Sequence, residues 1–226
     1  MGDNTGVNMD LLPEEPAAGP WRAVALDDFA AQLLHAPQPA GRPRIVAVDG
    51  RGASGKSTLA GALAARARRS VIVHTDDVAW HEPFFAWGDL LADRILQPLH
   101  RGEDIDFRPP AWVRKGREGS IQIPFGTETV IIEGTGANQR SFAHLIDATV
   151  WVQADFAEAE RRGIARDIEH GMNGNPEETV AFWHEWMSHE IRFFAADRPW
   201  ERADVVVAGT ATVPLLPGQL AVSPNL

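Results

Sequence analysis

The sequence predicts an α/β fold, with a mostly parallel sheet of about five strands and helices on both faces. Short apolar runs without polar alternation recur along the chain, and segments with helical spacing separate them. Strands buried on both faces have this uniformly apolar pattern, because helices cover both sides of a parallel sheet. One of these runs ends in a glycine-rich turn that leads directly into a helical segment, which is typical of a strand–loop–helix unit.

The elements follow in order from this pattern. A short helix capped by Asp27 or Asp28 precedes the first buried strand. A helix start is marked by Asn175, Pro176 and Glu178, since Asn caps, Pro suits the first turn and Glu closes a capping box. The predicted strands are residues 45–48, 70–75, 121–123, 129–133, 148–152 and 204–207. The other predicted helices are residues 59–66, 85–99 and 157–170.

The domain layout follows from composition. Residues 1–20 are rich in Pro, Gly, Asn and acidic side chains, so we expect a flexible N-terminal tail. Residues 21–209 form the predicted domain, with a lid at about residues 158–178. Residues 210–226 carry repeated prolines and are expected to form a C-terminal tail.

The glycine-rich turn carries the most specific signal in the chain. It matches G-x-x-x-x-G-K-[ST], in which glycines let backbone N–H groups point at phosphate oxygens and the following helix adds its positive end. The Lys reaches the outer phosphates and the Ser hydroxyl binds Mg²⁺. A plain connecting turn is the alternative, but it needs neither side chain. The predicted phosphate-binding residues of this P-loop are Gly50, Gly52, Ala53, Ser54, Gly55, Lys56, Ser57 and Thr58.

Acidic side chains follow neighbouring predicted strands, where ligands of parallel sheets bind. Asp49 ends one strand, Asp76 and Asp77 end another, and Glu133 ends a third, so we expect three acidic positions to converge beside the phosphate loop. Phosphoryl transfer needs cations, Mg²⁺ and a base for the attacking hydroxyl. We therefore expect Asp76 to act as base or as a Mg²⁺ ligand through water, and Glu133 to bind Mg²⁺ with Ser57. The alternative for these acids is an ordinary strand-to-loop turn.

The helix over residues 157–170 contains arginines that suit a lid. Arg162 and Arg166 are four residues apart and share one face. Before a Gly- and Asn-rich loop, such a helix is able to close positive charge over the γ-phosphate. The alternative is that these arginines form solvated pairs with Glu158, Glu160 or Asp167.

Composition excludes several classes of protein. The net charge of −10 argues against nucleic-acid coating, which needs a basic face. The chain has no Cys, its N-terminus lacks a signal peptide, and prolines interrupt its uncharged C-terminal stretch. We expect a cytoplasmic protein that binds neither nucleic acid nor membrane. The His residues lack H-E-x-x-H spacing, and Trp183, Trp186 and Phe194 are expected to pack in the core.

The order of these motifs resembles the uridine kinase family of P-loop kinases. The resemblance covers about residues 44–208 and implies a three-layer P-loop NTPase fold that uses ATP or GTP with Mg²⁺ to phosphorylate a small molecule. It maps the catalytic base onto Asp76, the Glu-Gly pair onto Glu133, and the lid arginines onto Arg162 and Arg166. The acceptor-binding residues it suggests are Asp77, Asp106, Phe107, Trp112 and Arg114.

The acceptor positions depart from the family pattern. The family's Tyr before Asp-Phe is Ile105 here, Trp112 replaces its His, and the chain has no Tyr at all. Losing such hydrogen-bonding groups should weaken discrimination for a polar base. We therefore expect an ATP- or GTP-dependent kinase whose acceptor hydroxyl need not belong to a pyrimidine nucleoside. The alternative is a nucleotide-binding regulatory or switch protein; N-K-x-D and L-S-G-G-Q motifs are absent. The acceptor's identity and any homo-oligomerisation stay open.

Overall fold

The computed structural model describes residues 9–34 and 39–223. The first eight residues of the predicted N-terminal tail, the start of the connector at residues 35–38 and the last three residues lie outside this part. Among the described residues, no helix is both long and apolar enough to cross a bilayer.

The described part of the chain contains nine strands and eight α-helices. The strands are β1 Arg22–Ala25, β2 Arg44–Gly50, β3 Ser70–His74, β4 Ile105–Phe107, β5 Ile121–Ile123, β6 Thr129–Glu133, β7 Ala148–Gln153, β8 Val205–Ala208 and β9 Gln219–Ser223. The α-helices are α1 Leu26–Leu34, α2 Lys56–Ala64, α3 Thr75–Ala79, α4 Gly88–Leu91, α5 Gln97–His100, α6 Pro110–Lys115, α7 Phe156–Glu169 and α8 Pro176–Asp197. A π-helical turn at Ala92–Leu96 joins α4 to α5, and 3₁₀ turns occupy Ala143–Leu145 and Pro199–Arg202.

The main sheet has seven strands in the order β1-β9-β8-β7-β2-β6-β3. The five strands from β8 to β3 are parallel, as the sequence predicts. Two antiparallel strands, β9 and β1, extend the sheet beyond β8. The α/β fold is confirmed, and β4 with β5 forms a separate hairpin.

Both faces of the sheet are covered, which makes three layers. Along β2, Ile45 and Ala47 belong to a core cluster that includes Leu91 and Leu99 near α4 and α5. The intervening Val46 packs in a second cluster that contains side chains of α1 and α2. Successive side chains of a strand face opposite sides, so uninterrupted burial along β2 reflects helices on both faces.

The described parts of both predicted tails pack more closely than the sequence predicts. Gln219–Ser223 lies in the predicted C-terminal tail but forms β9, paired with β1 and β8. Residues 9–20 lie in the predicted N-terminal tail, yet Leu12 and Ala18 are buried there. The Ala18 N–H donates to the Gln153 side chain at 2.9 Å. Their Pro-rich composition predicts tails, but tertiary contacts hold these segments against β7 and β8.

Candidate active site

The P-loop connects the buried end of β2 to the first turn of α2. Gly50 has no room for a side chain, because a Cβ there would lie 2.7 Å from the Val152 carbonyl oxygen. Gly55 precedes α2 with φ of 100° and ψ of 4°, a left-handed conformation that glycine adopts without strain. The first N–H groups of α2 have no carbonyl partner within their own helix. The loop therefore presents the positive end of a helix toward the cleft.

A cleft of about 570 Å³ opens beside this loop. Of the predicted phosphate-binding residues, Gly52, Ala53, Lys56 and Ser57 line it. The Lys56 ammonium donates to the Arg51 carbonyl at 3.2 Å, so it lies folded over its own loop. The remaining predicted residues, Gly50, Ser54, Gly55 and Thr58, belong to the loop and helix start without lining the cleft.

Ser57, Glu133 and His74 form a hydrogen-bonded chain across three elements. The Ser57 hydroxyl donates to Glu133 Oε1 at 2.9 Å, and His74 Nδ1 lies 2.6 Å from Oε2. Burial would raise the pKa of Glu133, but the His74 contact, the Lys56 charge and the Ser57 bond together lower the pKa below its usual value. The hydrogen bond to Glu133 raises the pKa of His74. The predicted meeting of Ser57 and Glu133 is present, with His74 as an additional partner.

Asp76 lines the same cleft as Lys56, Ser57 and Glu133. It lies in the first turn of α3, directly after β3, and its side chain is exposed. Because β3 pairs with β6, the Asp76 and Glu133 ends of these strands occur at one edge of the sheet. The sequence prediction that acidic groups meet beside the P-loop matches the placement of Asp76 and Glu133, but not that of Asp49.

Asp49, which also ends a strand, has a different role from Asp76. Its carboxylate accepts N–H groups from Gly50, Gly136 and Asn138 at 2.7 to 2.9 Å. Burial raises the pKa of Asp49 to about 6 although these bonds oppose the rise. The side chain thus ties β2 to the loop after β6 and is absent from the cleft lining.

Helix α8 covers the outer side of the P-loop. Its Glu190 side chain is fully buried and accepts the Gly52 N–H at 2.6 Å, with an Arg51 nitrogen 3.6 Å from the other carboxylate oxygen. Trp186 lies against Gly52, where a Cβ would come within 2.6 Å of the indole ring. Trp183 packs on Gly163 of α7 in the same way. Both tryptophans also line the cleft, so their predicted packing role is only part of what they do.

The two predicted lid arginines occupy different environments. Arg166 lines the cleft and pairs with Asp167, its Nε donating at 2.8 Å. Arg162 instead donates to the Gly209 carbonyl at 3.0 Å and contacts Glu158 at 3.5 Å. Gly209 packs closely against the Ser54 carbonyl of the P-loop. Arg162 therefore lies near the far side of the loop, outside the cleft lining.

The predicted acceptor-binding residues lie outside the cleft lining. Asp77 pairs with Arg117 at 2.5 Å, and the Trp112 indole donates to the Asp77 carbonyl at 2.8 Å. Phe107 and Trp112 are buried in the core cluster beneath the sheet. Asp106 accepts the Ser120 hydroxyl on the β4–β5 hairpin, and Arg114 pairs with Glu82 at 3.2 Å. The resemblance in sequence does not predict these placements, because the packing of α6 and of the β4–β5 hairpin turns the side chains away from the cleft.

A different segment lines the cleft beyond Asp76. Residues 79–87 contribute most of this lining, and Trp80, Phe84, Phe85 and Trp87 are its rings. The signal in the sequence is the dense aromatic run WHEPFFAW at residues 80–87. The sequence predicts a helix that starts at residue 85, within this run, whereas the helix begins at Gly88.

Comparison with known proteins identifies the fold of the chain. No protein-family model matches it, and no curated protein matches it. The solved structure of a "putative fructose transport system kinase" from Silicibacter sp. TM1040 is similar at 21% identity and TM-score 0.54, covering 77% of this chain and 95% of that one. A "possible uridine kinase" from Bacillus stearothermophilus is similar at 18% identity and TM-score 0.53, covering 80% and 96%. The protein YGR205w aligns at 10% identity and TM-score 0.51, covering 82% and 93%. The chain thus has the fold of P-loop kinases.

Proposed function

We propose that the protein is a kinase that transfers the γ-phosphoryl group of ATP or GTP to a hydroxyl group of a small molecule. The observation that carries this proposal is that Asp76 lines one cleft with Lys56 and with the Ser57–Glu133 pair. A regulatory nucleotide-binding protein needs the phosphate loop but no carboxylate for an acceptor. The kinase names of two proteins with this fold agree with the proposal.

The P-loop binds the nucleotide phosphates in this scheme. Backbone N–H groups at the start of α2 donate to phosphate oxygens, and the helix end favours their negative charge. The Lys56 ammonium exchanges its bond with the Arg51 carbonyl for the outer phosphates. Arg166 brings a further positive charge from α7, and Arg162 acts from the side of Gly209.

Mg²⁺ fits the donor atoms beside the P-loop. The Ser57 hydroxyl and the Glu133 carboxylate are oxygen donors 2.9 Å apart, and oxygen ligands suit this hard cation. Among the described residues, no group of three His, Cys, Asp or Glu side chains is arranged to hold a metal ion. Phosphate oxygens and water would complete the coordination, as is usual for Mg²⁺ at phosphate sites. When bound, the ion neutralises charge on the phosphate oxygens.

Asp76 provides the base for the acceptor. The acceptor oxygen attacks the γ-phosphorus and forms a new O–P bond, while the bond from the γ-phosphorus to the β–γ bridging oxygen breaks. The acceptor proton moves to the Asp76 carboxylate, and the nucleoside diphosphate leaves with the bridging oxygen. Lys56 and Arg166 stabilise the negative charge on the transferred group. The use of a nucleotide and the absence of Cys from the sequence suit the reducing cytoplasm as the location.

The test measures nucleoside diphosphate production with and without a panel of hydroxyl acceptors. Production that depends on an acceptor and falls at least about a hundredfold in Lys56→Ala supports the proposal. Lys115→Ala is the matched control, because the chain contains only these two lysines and Lys115 is exposed at the end of α6. Nucleotide binding that needs Lys56 without any phosphorylated acceptor would favour the regulatory alternative.

A further inference from the structure

The part of the cleft beyond Asp76 is walled by aromatic side chains. Two segments face each other there: residues 79–87, which follow α3, and the lid side with the first half of α8. Such walls bind ligands by burying flat apolar surface. The rings that line this part are Trp80, Phe84, Phe85, Trp87, Phe182 and Trp186.

Ring contacts with α8 hold this wall in position. Phe85 stacks on Phe193 with ring centres 4.3 Å apart and planes only 4° from parallel. Phe84 lies 4.5 Å from the ring of His189. Phe84 and Phe85 also line the cleft. Phe84 and Phe182 remain about 40% exposed at the mouth of the cleft, so apolar surface is open to a ligand there.

The backbone of this segment is held in an unusual conformation. His81 and Phe85 both have φ of 59°, in the left-handed region that residues with a side chain seldom adopt. Such strain persists where the surroundings impose it, and it concentrates at ligand-binding sites. The conformation occurs twice within five residues of the cleft wall, which points to a shaped pocket at this place.

The charges in this part of the cleft do not suit an anion. Among the described lining residues, the permanently cationic side chains are Lys56 and Arg166, which belong to the P-loop and to the lid helix. The acceptor part contains the carboxylates of Asp76 and Glu82, and Arg114 pairs with Glu82 from outside the lining. A phosphate or carboxylate on the acceptor would lack the Arg or Lys partner that such groups usually receive.

The rings also lie on the acceptor side of the P-loop rather than the opposite side. Residues 79–87 follow β3, the strand that leads to Asp76, and β3 is at one end of the main sheet. The loop after β8 touches the P-loop through Gly209 and Ser54, on the other side of β2. A ring held near Phe84 and Trp80 is therefore part of the molecule that Asp76 deprotonates.

Resting on the proposed kinase function, we infer that the acceptor is a flat aromatic or heteroaromatic alcohol, uncharged or cationic, with its hydroxymethyl group directly on the ring. The ring stacks within the wall formed by Trp80, Phe84, Phe85 and Trp186. Trp80 follows Asp76 by one turn at the end of α3, so a short arm is enough to bring the hydroxyl to Asp76. Polyols lack the flat face, and hydroxy acids and sugar phosphates carry the anion that this part of the cleft does not match. Nucleosides carry their hydroxyl on a sugar rather than on the ring.

The test measures binding and turnover separately with chosen probes. Benzyl alcohol, 3-pyridinemethanol and pyridoxine are the ring probes, compared with fructose, glycerate, ribulose 5-phosphate and uridine. Binding is followed by tryptophan fluorescence with and without a non-hydrolysable ATP analogue, and turnover by ADP release. We expect at least one ring probe to bind and to have a higher kcat/KM than each comparison compound.

Phe84→Ala is the informative variant because its ring is exposed and its removal leaves the core intact. We expect the Kd and KM for the ring probe to rise about tenfold, as for the loss of one stacking partner, with nucleotide affinity unchanged. Phe125→Ala is the matched control, since that ring is 87% exposed and lies outside the cleft lining. It should leave both constants unchanged.

The outcomes separate the acceptor class from the kinase function. Failure of every ring probe to bind, preferred turnover of fructose, uridine or an anionic compound, or an unchanged Kd in Phe84→Ala would overturn the acceptor class. Any such turnover would leave the kinase function in place. If ATP binding does not depend on Lys56, the kinase function is overturned, whatever the ring probes do. Weaker nucleotide binding in Phe84→Ala would assign the rings to the nucleotide instead.

Discussion

The Glu190 carboxylate accepts the Gly52 N–H at 2.6 Å, so helix α8 is bonded directly to the P-loop. The same helix begins at Pro176, immediately after the loop that follows the lid arginines. It also supplies Trp186, whose ring lies against Gly52. A single helix thus links the phosphate loop, the lid region and the aromatic wall, and its contacts determine how the P-loop is held.

The first prediction concerns the pH dependence of stability. Burial raises the pKa of Glu190 to about 7 from an ordinary value of 4.5, against the opposing effects of Arg51 and the Gly52 bond. A carboxyl group with a raised folded-state pKa favours folding below its unfolded pKa and loses that contribution as pH rises through its folded pKa. Glu190 should therefore lower the free energy of unfolding between about pH 4.5 and about pH 7, by up to about 3 kcal/mol.

Glu190→Gln isolates this contribution. The amide keeps an oxygen that accepts the Gly52 N–H but does not ionise. Denaturant unfolding at pH 5 and pH 8 should show a smaller loss of stability with rising pH in the variant than in the wild type. Asp49, whose pKa is raised to about 6, remains in both proteins, so both should still lose some stability as the pH rises. Equal pH slopes in the two proteins would contradict an effect of Glu190.

The second prediction tests the close packing at Gly52. Its φ is not positive, so Ala is acceptable to the backbone, but its Cβ would lie 2.6 Å and 2.9 Å from two Trp186 ring carbons. Overpacking of this kind typically costs about 1–3 kcal/mol. Gly52→Ala should therefore destabilise the protein and weaken nucleotide binding, as measured by denaturant unfolding and isothermal titration.

Two comparisons identify the cause of that loss. Gly61→Ala adds a methyl group within α2 where no neighbouring atom lies within 4 Å, and it should stabilise the protein by up to about 1 kcal/mol. Adding Trp186→Ala to Gly52→Ala removes the clash, so the double variant should be less destabilised than the sum of the single variants. An additive result would contradict the contact as the cause.

The third prediction separates two adjacent carboxylates. Asp76 lines the cleft, whereas Asp77 is paired with Arg117 outside its lining. Asp76→Asn should lower kcat about 10²- to 10⁴-fold, the usual contribution of a general base, with little change in nucleotide affinity. Asp77→Asn should change kcat and the acceptor KM far less. Similar kinetics in the two variants would contradict the assignment of the base to Asp76.

The parallel part of the fold was predictable from local sequence because its strands are uniformly apolar. The five strands from β8 to β3 and the helix start at Pro176 follow from burial and capping patterns. Helix α2 begins at Lys56, three residues before the predicted start, and has no side-chain cap that would mark it. Strand β9 was not predictable from local sequence, because it forms by pairing with β1, almost 200 residues earlier in the chain. The segment before β9 contains Pro214 and Pro217 and gives no local sign of that pairing.

The candidate site divides in the same way. Lys56, Ser57, Asp76 and Glu133 were predictable, since each follows a strand or begins a helix and so has its place set by the sheet. The acceptor part depends on how loops pack. Trp112 stands at a position that the resemblance assigns to the acceptor, but its indole N–H bonds to the Asp77 backbone carbonyl. Only the three-dimensional packing brings Phe84 and Trp186 to the cleft.

The fourth prediction tests the packing of the N-terminal segment. Glu15 Oε1 accepts the Trp151 indole N–H at 2.7 Å and the Gln153 amide at 2.9 Å, and burial raises the pKa of Glu15. Glu15→Ala leaves the buried Trp151 indole N–H without this acceptor, whereas the Gln153 amide keeps its bond to the Pro16 carbonyl at 3.0 Å. We therefore expect a loss of about 1–3 kcal/mol in denaturant unfolding. Glu15→Gln keeps an acceptor oxygen and should lose less.

Glu14→Ala is the control for Glu15→Ala, because Glu14 is the neighbouring acid and pairs with Arg198 at the surface. A solvent-exposed ion pair contributes at most about 1 kcal/mol. The difference between the two alanine variants therefore measures the buried contacts of Glu15 rather than the loss of a negative charge near the N-terminus. Equal, small losses in both variants would favour the flexible tail that the sequence predicts, since a segment detached from β7 gains nothing from Glu15.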